Sequence, residues 1–196
     1  MTALPLQRPR LMTVAEFAAL DEESEFIVEL QEGHLVMSPR AVPDHQFCQG
    51  ELRSRLTEQV PEHLEVLADV DVDLELVEPG RPGFARVPDL VVTYLTARRR
   101  VRREGGLIRA SEVVLAVEIL SPGSRRTDTV IKHGEYADAG IGHYWMIDLD
   151  ADEEGHPSLV ACHLAGELGY ADAPSVTGSF ATTVPFAIRL ELDGLV

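Results

Sequence analysis

Two acids sit where an ionised side chain is expensive. Asp89 in VPDLVV and Glu118 in LAVEIL each interrupt a nearly continuous, valine-rich apolar run. A carboxylate in such a run must be paired, hydrogen-bonded or bound to a metal. If the two runs are neighbouring strands, one divalent cation can serve both acids. Magnesium binds through one or two carboxylates and keeps waters that a phosphate can displace. Such an ion polarises a phosphoryl oxygen and yields a nucleophilic water near neutral pH, which is what phosphodiester hydrolysis requires.

A third residue joins them through composition. Of the basic side chains sixteen are arginine and one, Lys132, is lysine. Arginine is a permanently charged fork, whereas lysine is a compact point charge able to lose its proton in a suitable site. Lys132 therefore marks either a position where arginine would fail or a lone lysine on a solvated helix face. Asp128, Lys132 and Tyr136 recur every four residues, with Glu135 close by, so on a helix they share one face. A lysine there can orient or deprotonate an attacking water and offset developing negative charge, and the helix start with Ser121 and Ser124 favours a phosphate. The plainer alternative is an exposed Asp128–Lys132 pair worth roughly 0.2–0.5 kcal/mol.

The elements that must position these residues follow from pattern. Residues 13–20 read as a short helix, with Thr13 as N-cap and Glu16 completing a capping box. A hairpin is predicted over 26–30 and 34–37 around Gly33. A helix over 43–60 carries Phe47, Leu52 and Leu56 among its apolar positions and is stopped by Pro61. LEVLADVDVDLELVE alternates strictly, predicting one half-buried strand with Asp69, Asp71, Asp73 and Glu75 on its solvated face. VPDLVVTY and VVLAVEIL read as central strands covered on both faces. The arginine cluster between them reads as a surface loop or short helix. Next come a Ser-Pro-Gly-Ser turn, a helix over 127–139 closed by Gly140, a strand HYWMIDL with Trp145 in the core, and short β-patterned pieces such as SLVACHL and FAIRLEL.

A chain of 196 residues with 45% hydrophobic and 26% charged residues is expected to fold as a single α/β domain. No apolar run reaches the roughly 18 residues of a membrane span, and the opening MTALPLQRPRLMT lacks a signal peptide's apolar stretch. A cytoplasmic location away from membranes is expected. Cys48 and Cys162 lie far apart and form no Cys-x-x-Cys pair, so reduced thiols are expected rather than a disulfide framework or a closed zinc site. The net charge of −16 opposes a general nucleic-acid coat role, yet nine of the 17 basic residues fall between Arg98 and Lys132. An acidic protein can thus present one basic surface.

Pro88-Asp89, followed by VEILSPGSRRTDTVIKHGEYADAGIGHYWMIDL, resembles the Uma-type endonuclease family of the PD-(D/E)XK superfamily. The likeness rests on Glu118 to Ser124 (Glu-x-Leu-Ser-Pro-x-Ser), Asp128, Lys132, Tyr136, Ala139-Gly140 and Tyr144-Trp145 running to Asp148. Upstream, Glu29-Leu30, Gly33, Ser38-Pro39 and His45 also resemble the family, so the likeness spans about residues 12–165, followed by a β-rich C-terminal extension over 166–196. The resemblance implies a restriction-endonuclease-like α/β (α+β) fold, a mixed β-sheet flanked by helices, and Mg²⁺- or Mn²⁺-dependent cleavage of DNA. It also implies metal ligands at Asp89 and Glu118, with Lys132 as the catalytic lysine. In the superfamily pattern the lysine stands two residues after the acid, where this chain has Leu120; the Uma-type family supplies it from the next helix. Glu29, His45, Ser121, Asp128 and Tyr136 are accessory candidates. Arg98, Arg99, Arg100, Arg102, Arg103, Arg125 and Arg126 are candidates for the DNA backbone, and a homodimer stays open. The alternatives are a nuclease-like DNA-binding or regulatory module without catalysis, which the negative charge favours, and a metal phosphoesterase acting on small molecules.

Overall fold

The computed structural model describes residues 10–20, 26–39, 42–151 and 155–196. The reading of the opening segment as lacking a signal peptide falls on residues that lie mostly outside these. Helix α1 (Val14–Phe17) begins with the expected capping box, Thr13 and Glu16 each accepting from the other's backbone N–H. Strands β1 (Phe26–Gln31) and β2 (His34–Pro39) pair antiparallel across Glu32-Gly33. Both turn residues have positive φ, 50° and 79°, as the tight two-residue hairpin turn demands. A side chain at Gly33 would also strike Pro82 and Leu11, so glycine is required there twice over.

Helix α2 (Pro43–Thr57) buries His45, Cys48, Leu52 and Leu56 along one stripe. Phe47, expected inside, is exposed, and Cys48 takes the inward position. Fully buried Leu52 and Leu56 each contribute roughly 1.5–3 kcal/mol of transfer free energy.

The alternating segment after α2 is not one strand. It divides into β3 (Leu64–Ala68) and β4 (Val72–Asp73), which lie in different sheets. Asp69 between them takes φ 50°, a left-handed conformation that short polar residues adopt at least cost, and Glu75 beyond β4 takes φ 53°. The period-2 pattern survives across the break because the chain crosses between sheets without losing its inward and outward sense.

The other elements are β5 (Ala85–Arg86), β6 (Leu90–Tyr94), helix α3 (Leu95–Glu104), β7 (Ile108–Arg109) and β8 (Val113–Leu120). A π-helical turn (Thr127–Lys132) leads directly into helix α4 (His133–Asp138), where a single α-helix was expected. Strands β9 (His143–Asp148), β10 (Ser158–Leu164), β11 (Tyr170–Asp172), β12 (Val176–Thr177), β13 (Ser179–Thr182) and β14 (Ile188–Glu191) complete the chain.

One sheet runs β11-β10-β9-β8-β6-β3, with β12 also on β10; a second runs β2-β1-β5-β4-β7. The pairing of β8 with β9 is parallel and that of β6 with β8 antiparallel, so the larger sheet is mixed. As predicted, β6 and β8 are central and covered on both faces. Leu90, Val92, Leu115, Val117, Ile119 and Trp145 pack beneath α2, while Val91, Ala116, Leu120, Tyr136, Tyr144 and Met146 form the core on the other face. Phe186, Ile188, Leu190, Leu192 and Leu195 join the α2-side core, so the C-terminal segment is integral to it. Among the described residues no helix is long and apolar enough to cross a membrane.

Candidate active site

The antiparallel register of β6 and β8 pairs Leu90 with Val117. Asp89, the residue before β6, therefore comes beside Glu118 on β8. Oδ2 of Asp89 accepts from the Ile119 N–H at 2.6 Å and lies 3.2 Å from Nε2 of His45, which reaches it from the start of α2. Gln49, one turn further along α2, donates to the Asp89 carbonyl at 2.9 Å and to Oδ1 of Asp69 at 2.8 Å. Nδ1 of His45 is buried without a hydrogen-bond partner among the described residues. Burial opposes a charge on His45, but the hydrogen bond to Asp89 and the charges of Asp89 and Asp69 together outweigh it and raise the imidazole above its ordinary value.

Glu118 is 3% exposed. Its Oε1 receives Nζ of Lys132 at 2.9 Å and the Tyr136 hydroxyl at 2.7 Å. The same ammonium lies 3.1 Å from Oε1 of Glu29 and 3.6 Å from Oδ1 of Asp128. The helical spacing thus does bring Asp128, Lys132 and Tyr136 to one face, and that face turns inward, toward the sheet, instead of to solvent. Its first half is π-helical, a form concentrated at functional positions. Leu120, two residues after Glu118, belongs to the core, so the lysine arrives from the helix and not from the strand.

Burial pushes the Glu118 carboxyl well up, aided by Asp89, Asp128 and Glu29 and opposed by Lys132. Burial likewise raises Asp128. For Lys132, burial disfavours the charge, but Glu118, Glu29 and Asp128 outweigh it and hold the side chain firmly as ammonium. Burial would raise Glu29 too; Lys132 and Arg86, with the Val87 N–H, bring it below the usual carboxylate range.

Arg86 carries no signal in the sequence reading, yet it is only 1% exposed. It donates to Oε2 of Glu29 at 3.0 Å and grips Glu135 with two bonds, 2.6 and 2.8 Å. A charged residue three positions before Asp89, at the entry to an apolar strand, was the available clue. Ser121 and Ser124 bond to each other, hydroxyl to hydroxyl at 2.9 Å, closing the turn after β8.

The arginine cluster forms α3. Arg98 pairs with Glu65 and Arg103 with Glu104, both on the surface, and Arg125 makes two bonds to Asp148. The Arg100 fork is consumed by Glu112 and the Leu107 carbonyl, with its side chain only 14% exposed. Among the described residues Arg99, Arg102 and Arg126 make no ion pair.

The donor set suits a hard divalent cation. Glu29, Asp89, Glu118, Asp128 and Glu135 face, among the described residues, only Lys132, Arg86 and His45 as cationic partners. Among the described residues the hydrogen bonds to the Asp89 side chain fall on Oδ2 and those to Glu118 on Oε1, so Oδ1 and Oε2 are the oxygens that could face an ion. Two carboxylates completed by water are the usual protein contribution to a magnesium site.

The model of the Uma2 family, described as "Putative restriction endonuclease", matches residues 14–163. The chain belongs to the Uma2 family. A solved relative in fold is a protein titled a putative nuclease belonging to DUF820, from Anabaena variabilis. It superposes with a TM-score of 0.66 at 21% identity, over 94% of this chain and 97% of that one. No curated protein matches the sequence. Family and fold together make this a restriction-endonuclease-like α+β protein, as the resemblance implied.

Proposed function

We propose that this Uma2 member is a metal-dependent endonuclease that hydrolyses DNA phosphodiester bonds in the cytoplasm, with Asp89 and Glu118 holding Mg²⁺ or Mn²⁺. The observation that carries the reading is the meeting of Asp89, at the entry to β6, with Glu118 on the adjoining strand β8, the hydrogen bonds from described residues falling on one oxygen of each side chain. The ion, when bound, supplies Lewis-acid polarisation of a phosphoryl oxygen and lowers the pKa of a bound water.

The chain's own groups do the positioning. His45 and the Ile119 N–H fix Asp89; Lys132 and Tyr136 fix Glu118. Lys132 offsets negative charge growing on the phosphoryl oxygens and orients the attacking water. Its proton is held by Glu118, Glu29 and Asp128, so it acts as a cation and not as the base. Glu29 and Asp128 position the ammonium, and Arg86 positions Glu29. Arg99, Arg102 and Arg126, with the surface residues Arg98, Arg103 and Arg125, meet the DNA backbone, while Arg100 is committed to holding α3 in place. The shared core supports reading residues 1–196 as one domain.

The net charge of −16 favours a second reading, a nuclease-like DNA-binding or regulatory module without catalysis, because a DNA enzyme gains from a positive field. Incubation with supercoiled plasmid in Mg²⁺, Mn²⁺ and EDTA, beside Asp89→Asn, decides between them. Nicking that needs metal and falls to the EDTA level in Asp89→Asn is the expected result. Undiminished nicking by that variant removes the site, and absence of nicking with any metal favours the module. Asp89→Asn is a cleaner probe than Lys132→Ala, which strips Glu118 and Glu29 of their shared cation and so perturbs folding as well.

A further inference from the structure

A second group of metal-binding side chains lies on the far strands of the larger sheet. In the antiparallel pairing of β10 with β11, Cys162 stands directly opposite Asp172, so both side chains rise from the same face. His133, the first residue of α4, meets them from above, its Nε2 2.9 Å from Oδ1 of Asp172. One donor atom from each of the three lies within 4.8 Å of the others. Tetrahedral zinc, with bonds of about 2.0–2.3 Å, holds its ligand atoms roughly 3.3–3.6 Å apart, so His133 and Asp172 need to part slightly and no ligand atom has to move by more than about 1.5 Å to meet an ion. The His133 ring is steadied edge-on by Tyr170 and Tyr144, with centroids 5.2 and 6.1 Å away. Cys162 is buried and Asp172 exposed, giving the cluster one dry side and one side open for an ion to enter. Neighbours along the chain conceal it, since the three residues come from separate elements.

We propose that His133, Cys162 and Asp172 bind a thiophilic divalent transition metal, zinc foremost, and leave one coordination position to water. Binding breaks the Cys162 S–H bond, forms a sulfur–metal bond and releases the proton to buffer, with no change of oxidation state. Thiolate and imidazole select zinc-like ions while carboxylate pairs suit magnesium, so this site and the Asp89–Glu118 pair take different ions. His133 directly follows Lys132, so the ion clamps the start of α4 to the β10–β11 ribbon. The proposal stands apart from the nuclease reading.

Titration of the full chain with Co²⁺ tests it, through thiolate-to-cobalt charge-transfer absorption and the intense visible bands of four-coordinate cobalt. One equivalent is expected to saturate these bands in the parent and in Cys48→Ser, with none in Cys162→Ser. His133→Gln and Asp172→Asn, both at accessible positions, are expected to weaken binding by at least about tenfold, the smallest loss seen even for residues that only support a ligand. Absence of the bands in the folded parent overturns the site. So does their persistence in Cys162→Ser, or unaltered affinity in His133→Gln.

Discussion

The buried charges around Lys132 and the surface charges of α3 are made of the same chemistry, cations facing carboxylates at hydrogen-bonding distance, and they do different things. On α3 the Arg103–Glu104 pair stands in water, and the half-exposed Arg98 reaches to a largely buried Glu65; surface contacts of this kind contribute about 0–1 kcal/mol and leave arginines available to a polyanion. Around Lys132 the same attraction acts where water is excluded. A single ammonium is shared among Glu118, Glu29 and Asp128, and Arg86 bridges Glu29 to Glu135. Desolvation is more than offset for Glu29 and Lys132 and only partly offset for Glu118 and Asp128. Retaining such a cluster is costly for folding, which is the reason to look for its use in binding a cation.

Breaking the buried half of this comparison has the largest expected effect. Arg86→Ala leaves the buried Glu29 and the half-buried Glu135 without their guanidinium and is expected to cost about 3–5 kcal/mol, read as a fall in the urea midpoint. If the loss stays under about 1 kcal/mol, the range of a solvated pair, the distinction between the two regions fails. Tyr136→Phe removes one donor from the buried Glu118 carboxylate and retains the ring packing; a loss of about 1.5–3 kcal/mol is expected, the range for hydrogen bonds to charged groups, measured by the same unfolding curves.

The smallest effect belongs to the helix. The hydrogen bond and charge of Arg100 hold the Glu112 carboxyl below its ordinary value of 4.5. A depressed carboxyl contributes stability that is present above the unfolded pKa and is lost as pH falls through the folded one. Stability is therefore expected to decline below about pH 4.5 in the parent, and Arg100→Gln is expected to show a shallower decline over that interval. Parallel slopes for the two proteins would remove Arg100 as the source.

The chemistry of the candidate site was legible because charge inside an apolar run is conspicuous. Asp89, Glu118 and the single lysine announced themselves, and a four-residue spacing was enough to put Asp128, Lys132 and Tyr136 on one face. Arg86 drew no reading, because the partners that make it conspicuous, Glu29 and Glu135, are 57 and 49 residues away and meet it only in the folded chain. The division between β3 and β4 was hidden for a related reason. Alternation reports which side of a layer a residue faces and is blind to which layer it is, so the crossing at Asp69 left no trace in the pattern. The π-turn was equally silent, since asking which residues share a face does not distinguish it from an α-helix.

The hairpin turn at Glu32-Gly33 has a consequence for the order in which the molecule assembles. Lys132 and Glu118 are 14 residues apart, but Arg86 and Glu29 are separated by 57 and the Gln31–Glu135 contact by 104. Contacts closing long loops form late, because their entropy must be met before they reward the chain. The β8–α4 portion can therefore gather its charges early, while the hairpin brings Glu29 to Lys132 only near the end of folding. The buried charge cluster is then closed by the N-terminal hairpin, the part of it made first and joined last.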